Sequence, residues 1–289
     1  MKIAIIADIH GNIHALEAVL EDIEHQHTDQ IVVNGDLVNR GPNNLAVMEK
    51  LWGNGNIFIL GNHDDLVQMW IARDKKIPDA WFSDPFWDST ATVAEQLHTG
   101  GWIETLRKLK MTHEVKLPNA PTLLISHGSP RHYREGYAIY TSECVLSEIV
   151  DQYAADIFIG SHTHRPFDQI IQGRRFLNTG AVGAPFNRDP RAQYLLMAYH
   201  GKKWQAEFRA IAYDREAAIL AFEETDYLEQ GTLSAHIFRD ELIYSRPLFD
   251  PFWRWTRECN KPRIWASWDE FRSINSDKFC GGNRKAKVS

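Results

Sequence analysis

Five short segments hold the residues of this sequence that could do metal chemistry. They are Asp8-Ile9-His10, Gly35-Asp36, Gly61-Asn62-His63-Asp64, Ser126-His127-Gly128 and Gly160-Ser161-His162-Thr163-His164. An aspartate and a histidine two apart carry little weight alone, because such pairs arise by chance. The second carboxylate at Asp36, the amide of Asn62 and four further histidines change that. Buried polar groups without partners are costly, so a run of such residues at strand ends is better explained by a shared ligand than by unrelated structural needs. Carboxylate and imidazole donors together suit manganese, iron, zinc or nickel more than calcium. His162 and His164, two apart in one loop, can turn toward adjacent ions.

Each segment follows a strand signal. Ile3 to Ala7, Gln30 to Asn34 and Ile57 to Leu60 are short apolar runs, and between them Ile13, Leu16, Val19, Leu20 and Ile23, then Leu45, Met48, Leu51 and Trp52, recur at helical spacing. In open α/β sheets ligands bind at the carboxyl ends of the strands, so three of the segments converge on one rim. Strand signals resume at His113 to Leu117, Thr122 to Ser126, Ile157 to Ile159, Asp168 to Ile171, Arg174 to Leu177, Tyr194 to Tyr199 and Trp204 to Ala210. Turn residues such as Gln172-Gly173 and Gly201-Lys202 join the later ones as hairpins. Parallel strands first and antiparallel strands later predict an α/β fold, a mixed two-sheet sandwich flanked by helices.

Between the third and fourth strand signals, residues 65–111 carry Trp70, Trp81, Trp87 and Trp102, with helices predicted near 65–73 and 89–108. An insertion after a strand-end loop is placed to act as a lid; a helical pair packing its aromatics on the sheet is the other reading. After Ala210 the pattern weakens. Residues 213–226 read as a helix, and 247–272 hold Trp253, Trp255, Trp265 and Trp268 with Pro247, Pro251 and Pro262. The expectation is a C-terminal appendage over 213–289 that docks on the core or on a partner, ending in a flexible tail at 281–287.

Taken in order, the five segments resemble the DxH, GD, GNH(D/E), H and GHxH pattern of the calcineurin-like metallophosphoesterase superfamily, across roughly the first 200 residues. Ser161 is the one departure, separating Gly160 from His162. The resemblance implies a four-layer α/β/β/α fold with residues 1–212 as the catalytic domain. It implies two divalent metal ions, manganese foremost and iron, zinc or nickel otherwise. Asp8, His10 and His164 would hold one ion, Asn62, His127 and His162 the other, and Asp36 would bridge them. His63 would stand over the phosphoryl group, oriented by Asp64. Gly35 to Gly41 is similar to the GDxVDRG block of protein phosphatases and dinucleoside tetraphosphatases, in which the arginine, here Arg40, grips phosphate; Asn39 stands where that block has aspartate. His127 to Arg131 and Asn178 to Gly183 look like the small bacterial phosphodiesterase-type branch.

The activity so implied is metal-dependent hydrolysis of a phosphodiester or small phosphomonoester. Water activated between two cations would be the nucleophile, and His63 the proton donor, its cationic form favoured by Asp64. The Arg40 block alone favours a dinucleoside polyphosphate hydrolase or protein phosphatase instead. A non-catalytic scaffold, with the Trp-rich 247–272 stretch as its partner surface, is the alternative of another class. Such a scaffold would be expected to lose ligands or His63, and the sequence retains them all.

Composition narrows the partners. The formal charge of −6 argues against polymeric nucleic acid and anionic membranes as partners, since both call for a basic surface. No apolar run is long enough to span a bilayer, and the N-terminus enters a strand without a basic head, so a cytoplasmic protein is expected. Cys144, Cys259 and Cys280 are too few and too scattered for a disulfide framework or a zinc ribbon.

Overall fold

The computed structural model describes residues 1–279. Its strands in chain order are β1 (Lys2–Ile6), β2 (Gln30–Asn34), β3 (Ile57–Ile59), β4 (Thr112–Val115), β5 (Leu123–Ser126), β6 (Ile157–Gly160), β7 (Pro166–Ile171), β8 (Arg174–Thr179), β9 (Ala192–His200) and β10 (Lys203–Ile211). They form two five-stranded sheets, in the orders β10-β9-β1-β2-β3 and β4-β5-β6-β8-β7. In the first, β1, β2 and β3 run parallel, with Ile5 beside Val32 and Val32 beside Ile57, while β9 and β10 add antiparallel. In the second, β5, β6 and β8 are parallel and the edge strands β4 and β7 antiparallel. Both sheets are therefore mixed, as the strand spacing predicts.

Residues of a strand alternate between its two faces, and here both faces are buried. Ile3 and Ile5 of β1, Val32 of β2, Ile125 of β5, Ile157 and Ile159 of β6 and Leu177 of β8 share the cluster between the sheets. Ala4, Ile6 and Val33 point the other way, into a cluster shared with helices. Phe158 and Phe176 do the same on the outer face of the second sheet. Burying each such side chain stabilises by roughly 1.5–3 kcal/mol, which explains why these strands read as continuous apolar runs.

The helices covering the first sheet are α1 (Ile13–His25), α2 (Asn44–Leu51), α3 (Asn62–Ala72), α4 (Asp88–Thr99) and α5 (Ile103–Leu106). Helix α1 starts at Asn12, whose side chain accepts from the Ala15 N–H, and buries Ala15, Leu16, Val19 and Ile23. Helix α6 (Glu143–Gln152) covers the second sheet with Leu146 and Ile149. The order helix, sheet, sheet, helix gives four layers. The single helix expected over 89–108 is broken at Gly100-Gly101, where Gly101 takes φ of 76°. Helix α6 was not foreseen.

Beyond β10 come α7 (Arg215–Glu224), α8 (Tyr227–Tyr244), α9 (Phe249–Glu258) and α10 (Trp265–Ile274). Phe222, Leu233, Phe238, Phe249, Phe252, Trp268 and Phe271 join the same apolar cluster as α1 to α4. An aromatic seam ties the 65–111 segment to α9: Trp81 stacks on Trp87 at 3.8 Å, and Trp253 meets both edge-on at 5.8 and 6.2 Å. Arg263 closes the seam by donating to Asp84 at 2.6 Å. The tail expected at 281–287 lies outside the described residues. Among the described residues, no helix is long and apolar enough to cross a membrane.

Candidate metal centre

The loops after β1, β2, β3, β5 and β6 meet at one rim, and their backbones are sharply bent there. Asp8, His10, Asp36, His162 and His164 all adopt left-handed φ, between 49° and 63°. For residues other than glycine this costs on the order of 1–3 kcal/mol each and persists only when the surroundings enforce it. Hydrogen bonds between the loops do so. Asp8 N donates to Gly35 O at 3.1 Å, His10 N to Asp36 O at 3.1 Å and Ser161 N to His127 O at 2.7 Å. His63 N donates to Asp36 Oδ1 at 2.7 Å and His162 N to Asp8 Oδ2 at 3.2 Å. Gly61 is required by closeness: a Cβ there would lie 2.1 Å from Asp36 N and 2.2 Å from its Oδ1. Ser161, the departure from the motif, is fully buried and joins Asn34 Nδ2 and Thr179 Oγ1, each at 2.8 Å.

Two groups of donors result. Asp8, His10, Asp36 and His164 bring one ligand atom each within 4.8 Å of one another, and so do Asp36, His127 and His162. Asp36 belongs to both. Its Oδ2 lies 3.3 Å from His127 Nε2 and 3.7 Å from His10 Nε2, while Asp8 Oδ1 is 3.4 Å from His164 Nε2. Asn62 Oδ1 stands 3.3 Å from His127 Nε2, at the second group. Backbone carbonyls face the far nitrogen of three rings: His127 Nδ1 is 2.8 Å from Asn34 O, His164 Nδ1 2.6 Å from Ala184 O and His10 Nδ1 3.4 Å from Val38 O. A ring that donates from Nδ1 presents its Nε2 lone pair inward. Asp8 Oδ1 is buried without a hydrogen-bond partner, and Asp36 Oδ2 is buried facing the imidazoles of His127 and His10. Buried carboxylate oxygens facing imidazole Nε2 atoms fit the coordination chemistry of divalent cations.

The protonation states show how the site is balanced without a cation. Burial pushes the pKa of Asp8 well up, and it pushes those of His10 and His164 well down and that of His162 to about 3. Burial also opposes ionisation of Asp36, but His127 and His63 outweigh it and hold this carboxyl well below its usual range. His127 is desolvated too, yet Asp36 and Asp8 raise it to about 9. A proton on His127 thus balances Asp36 where a cation could.

Residues 1–166 match the family model described as calcineurin-like phosphoesterase. The chain belongs to that family. It is therefore a phosphoester hydrolase, and the metal dependence of the family corresponds to the buried His/Asp cluster. An uncharacterized protein of Methanocaldococcus jannaschii is 25% identical over 234 residues, 75% of this phosphoesterase and 89% of that protein. The symmetrical bis(5'-nucleosyl)-tetraphosphatase of Erwinia tasmaniensis is 42% identical, but only over 67 residues, 22% of this chain and 24% of that enzyme. Among solved structures, a metallophosphoesterase from Sphaerobacter thermophilus superposes with a TM-score of 0.62 at 24% identity, covering 82% of this chain and 99% of that one. This last likeness concerns the fold.

Around His63 the phosphoesterase departs from the expected arrangement. Asp64 makes no hydrogen bond or ion pair with the ring. Its carboxylate accepts from the N–H groups of Asp36 at 2.8 Å, Leu37 at 3.0 Å and Gly61 at 3.0 Å, so it fastens two ligand-bearing loops together; burial lifts its pKa to about 7. Asn39 and Arg40 flank His63 instead. Asn39 Nδ2 lies 3.0 Å from His63 Nδ1 and Arg40 Nε donates to Nε2 at 3.3 Å. Burial, then Arg40 and Arg134, hold the His63 pKa well down against the pull of Asp36, so the cationic form is disfavoured in the free protein. Arg40 is itself committed on its other side, donating through Nη1 to Glu241 Oε2 at 2.7 Å. Sequence motifs gave no sign of Glu241, which lies inside α8 among residues with no recognisable pattern.

Above the centre opens a cavity of about 350 Å³ reached by Asp36, Asn62, His63, His162 and His164. Its outer wall comes from the 65–111 segment and the C-terminal helices, with Trp81, Trp87 and Trp253 among the lining residues. Arg134, Arg165 and Arg254 stand around it.

Proposed function

We propose that this phosphoesterase hydrolyses small phosphodiesters or phosphomonoesters at a two-cation centre made by Asp8, His10 and His164 on one side and Asn62, His127 and His162 on the other, with Asp36 between. The observation that carries this reading is the sharing of Asp36 by both donor groups, with its Oδ2 buried between His127 Nε2 at 3.3 Å and His10 Nε2 at 3.7 Å. Cations bound there would neutralise phosphoryl charge and bring the pKa of water from about 15.7 toward about 7. Manganese is our first choice, with iron, zinc or nickel as alternatives on the same donor set.

The protein's own groups supply orientation and the proton. His63, rooted beside Asn62 at the start of α3, faces the cavity with Arg40 and Asn39 against its two nitrogens. Burial and the charge of Arg40 keep the resting ring neutral. An anionic phosphoryl group near Nε2 opposes both effects and favours the protonated ring; Nε2 then carries a proton in place of accepting from Arg40 Nε, and that proton goes to the departing oxygen. Asp64 acts by holding the loops of Asp36 and Gly61 in register. Arg40 acts by setting the His63 ring and adding positive charge to the cavity.

The 65–111 segment would serve as a lid over residues 1–212, fastened by the Trp81, Trp87 and Trp253 seam to the region after 213. Cys144 and Cys259 are exposed free thiols, which accords with a cytoplasmic setting.

A dinucleoside polyphosphate is the second reading. It is favoured by the short but strong similarity to a symmetrical tetraphosphatase and by three arginines around the cavity, beyond what one phosphoryl group requires. A panel on metal-reconstituted protein separates the two. Bis-p-nitrophenyl phosphate, p-nitrophenyl phosphate, cyclic nucleotides, dinucleoside polyphosphates and a phosphopeptide are compared by kcat/KM. Turnover of the small esters supports the first reading, and preference for the dinucleoside compounds the second. Inactivity on every compound with metal bound refutes both.

A further inference from the structure

Glu241 sits in α8, 201 residues along the chain from Arg40, and is 2% exposed. Its two carboxylate oxygens are divided between two tasks. Oε2 accepts from Arg40 Nη1 at 2.7 Å. Oε1 accepts from the N–H groups of Leu248 at 2.7 Å and Phe249 at 2.9 Å, where the chain enters α9. The Arg40 guanidinium is further confined by rings from the same region, 5.1 Å from the centre of Phe238 and 5.9 Å from that of Phe249. A guanidinium is a rigid plane, so fixing Nη1 also fixes where Nε points, and Nε points at His63.

We infer that Glu241 is a positioning residue for the phosphoesterase reaction: it holds Arg40, and through Arg40 the imidazole of His63, so that the C-terminal helices complete the reaction centre. The inference rests on the reading of His63 as the group that meets the leaving oxygen. It assigns a task to a stretch of chain that lies beyond the 166 residues of the family match.

Glu241→Gln separates this role from a merely structural one. The amide keeps an acceptor oxygen for Leu248 and Phe249 but turns an NH₂ group toward Arg40. We expect kcat to fall by about 10²-fold, the size of effect produced by a small misplacement of a catalytic group. KM should move far less and metal content per chain should stay at the wild-type ratio. A crystal structure of metal-free E241Q should show Arg40 Nε displaced from His63 Nε2. Should E241Q fold poorly, Arg40→Lys serves, since it keeps a cation opposite Glu241 but lacks the planar fork; it should lose kcat similarly. In a His63→Ala background most of the E241Q loss should disappear. Wild-type kcat in E241Q, or a loss of equal size with and without His63, overturns the inference. Full turnover in H63A alone overturns the reading of His63 before Glu241 is considered. A crippled H63A beside a fully active E241Q overturns only the inference.

Discussion

The imidazoles of His10 and His164 bring their Nε2 atoms within 3.3 Å of each other. With both Nδ1 atoms turned to backbone carbonyls, two lone pairs confront each other in a buried site, an arrangement a cation relieves. The metal-free protein should therefore have a distinctive pH dependence. Burial depresses the pKa of His10, His164 and His162, so below the unfolded value of about 6.5 the unfolded chain takes up protons that the folded one refuses. Stability falls with acid, by about 1.4 kcal/mol per pH unit for each such ring. His127 has the opposite sign. Raised to about 9 by Asp36 and Asp8 against burial, it contributes stability present below pH 6.5 and lost as pH rises through 9. Asp8 and Asp64, raised by burial, share the sign of His127 and offset part of the loss in acid. Melting temperatures measured with a chelator from pH 5 to 9.5 should pass through a maximum near neutrality, and added metal should raise and broaden it. A flat profile without metal would contradict these protonation states.

His63 lines the cavity but belongs to neither donor group. His63→Ala should keep its metal and lose turnover by about 10²–10⁴-fold. The loss should be largest for esters with poor leaving groups, since those need the proton most. Metal analysis and a series of aryl phosphate substrates check this, and loss of bound metal would make His63 a ligand instead.

Asn39→Asp tests the neighbour that stands where the similar block has aspartate. A carboxylate 3.0 Å from His63 Nδ1 would favour the imidazolium. If activity needs the protonated ring, it declines as pH rises through that pKa, and N39D should move the declining limb to higher pH. Aspartate tolerates the left-handed backbone at this position, where φ is 70°. An unmoved limb would mean that another group sets it.

What was readable beforehand followed physical scale. Ligand positions such as Asp8, Asp36 and His127 directly follow strands whose apolar runs are fixed by burial on both faces, so the motifs and their elements supported one another. The divided labour around His63 was not readable, because Asp64, Asn39 and Arg40 are assigned by hydrogen bonds rather than by spacing. Helix α8 escaped for a different reason. It buries Leu233, Ala235, Phe238 and Glu241 on several sides and is kinked at Thr232, with φ 49° and ψ −142°, so no single apolar stripe marks it. Glu241 went unseen with it.

Asp64→Ala should act on the scaffold. Three backbone N–H groups would lose their acceptor, at a cost of about 1–3 kcal/mol for each left unsatisfied. We expect a lower melting temperature and weaker metal binding. The remaining turnover, at saturating metal, should keep the wild-type dependence on leaving group. A steeper dependence in this variant would return Asp64 to the proton-donating machinery.

Trp253→Ala should loosen the cover without touching the centre. Trp253 is a half-buried residue of α9 whose ring meets Trp81 and Trp87 edge-on, and each such aromatic pair is worth about 0.5–1.5 kcal/mol beyond its burial. The ring lies on the cavity wall, whereas the donor groups sit in loops held by Asp64 and the strands. Removing it should therefore raise KM and leave metal content unchanged. If the seam fastens a lid, proteolysis of the 75–88 stretch should also become faster in W253A, and substrate should slow it again. Cleavage at the wild-type rate would show that this stretch is held by its own contacts, with the seam contributing shape to the cavity and no closure.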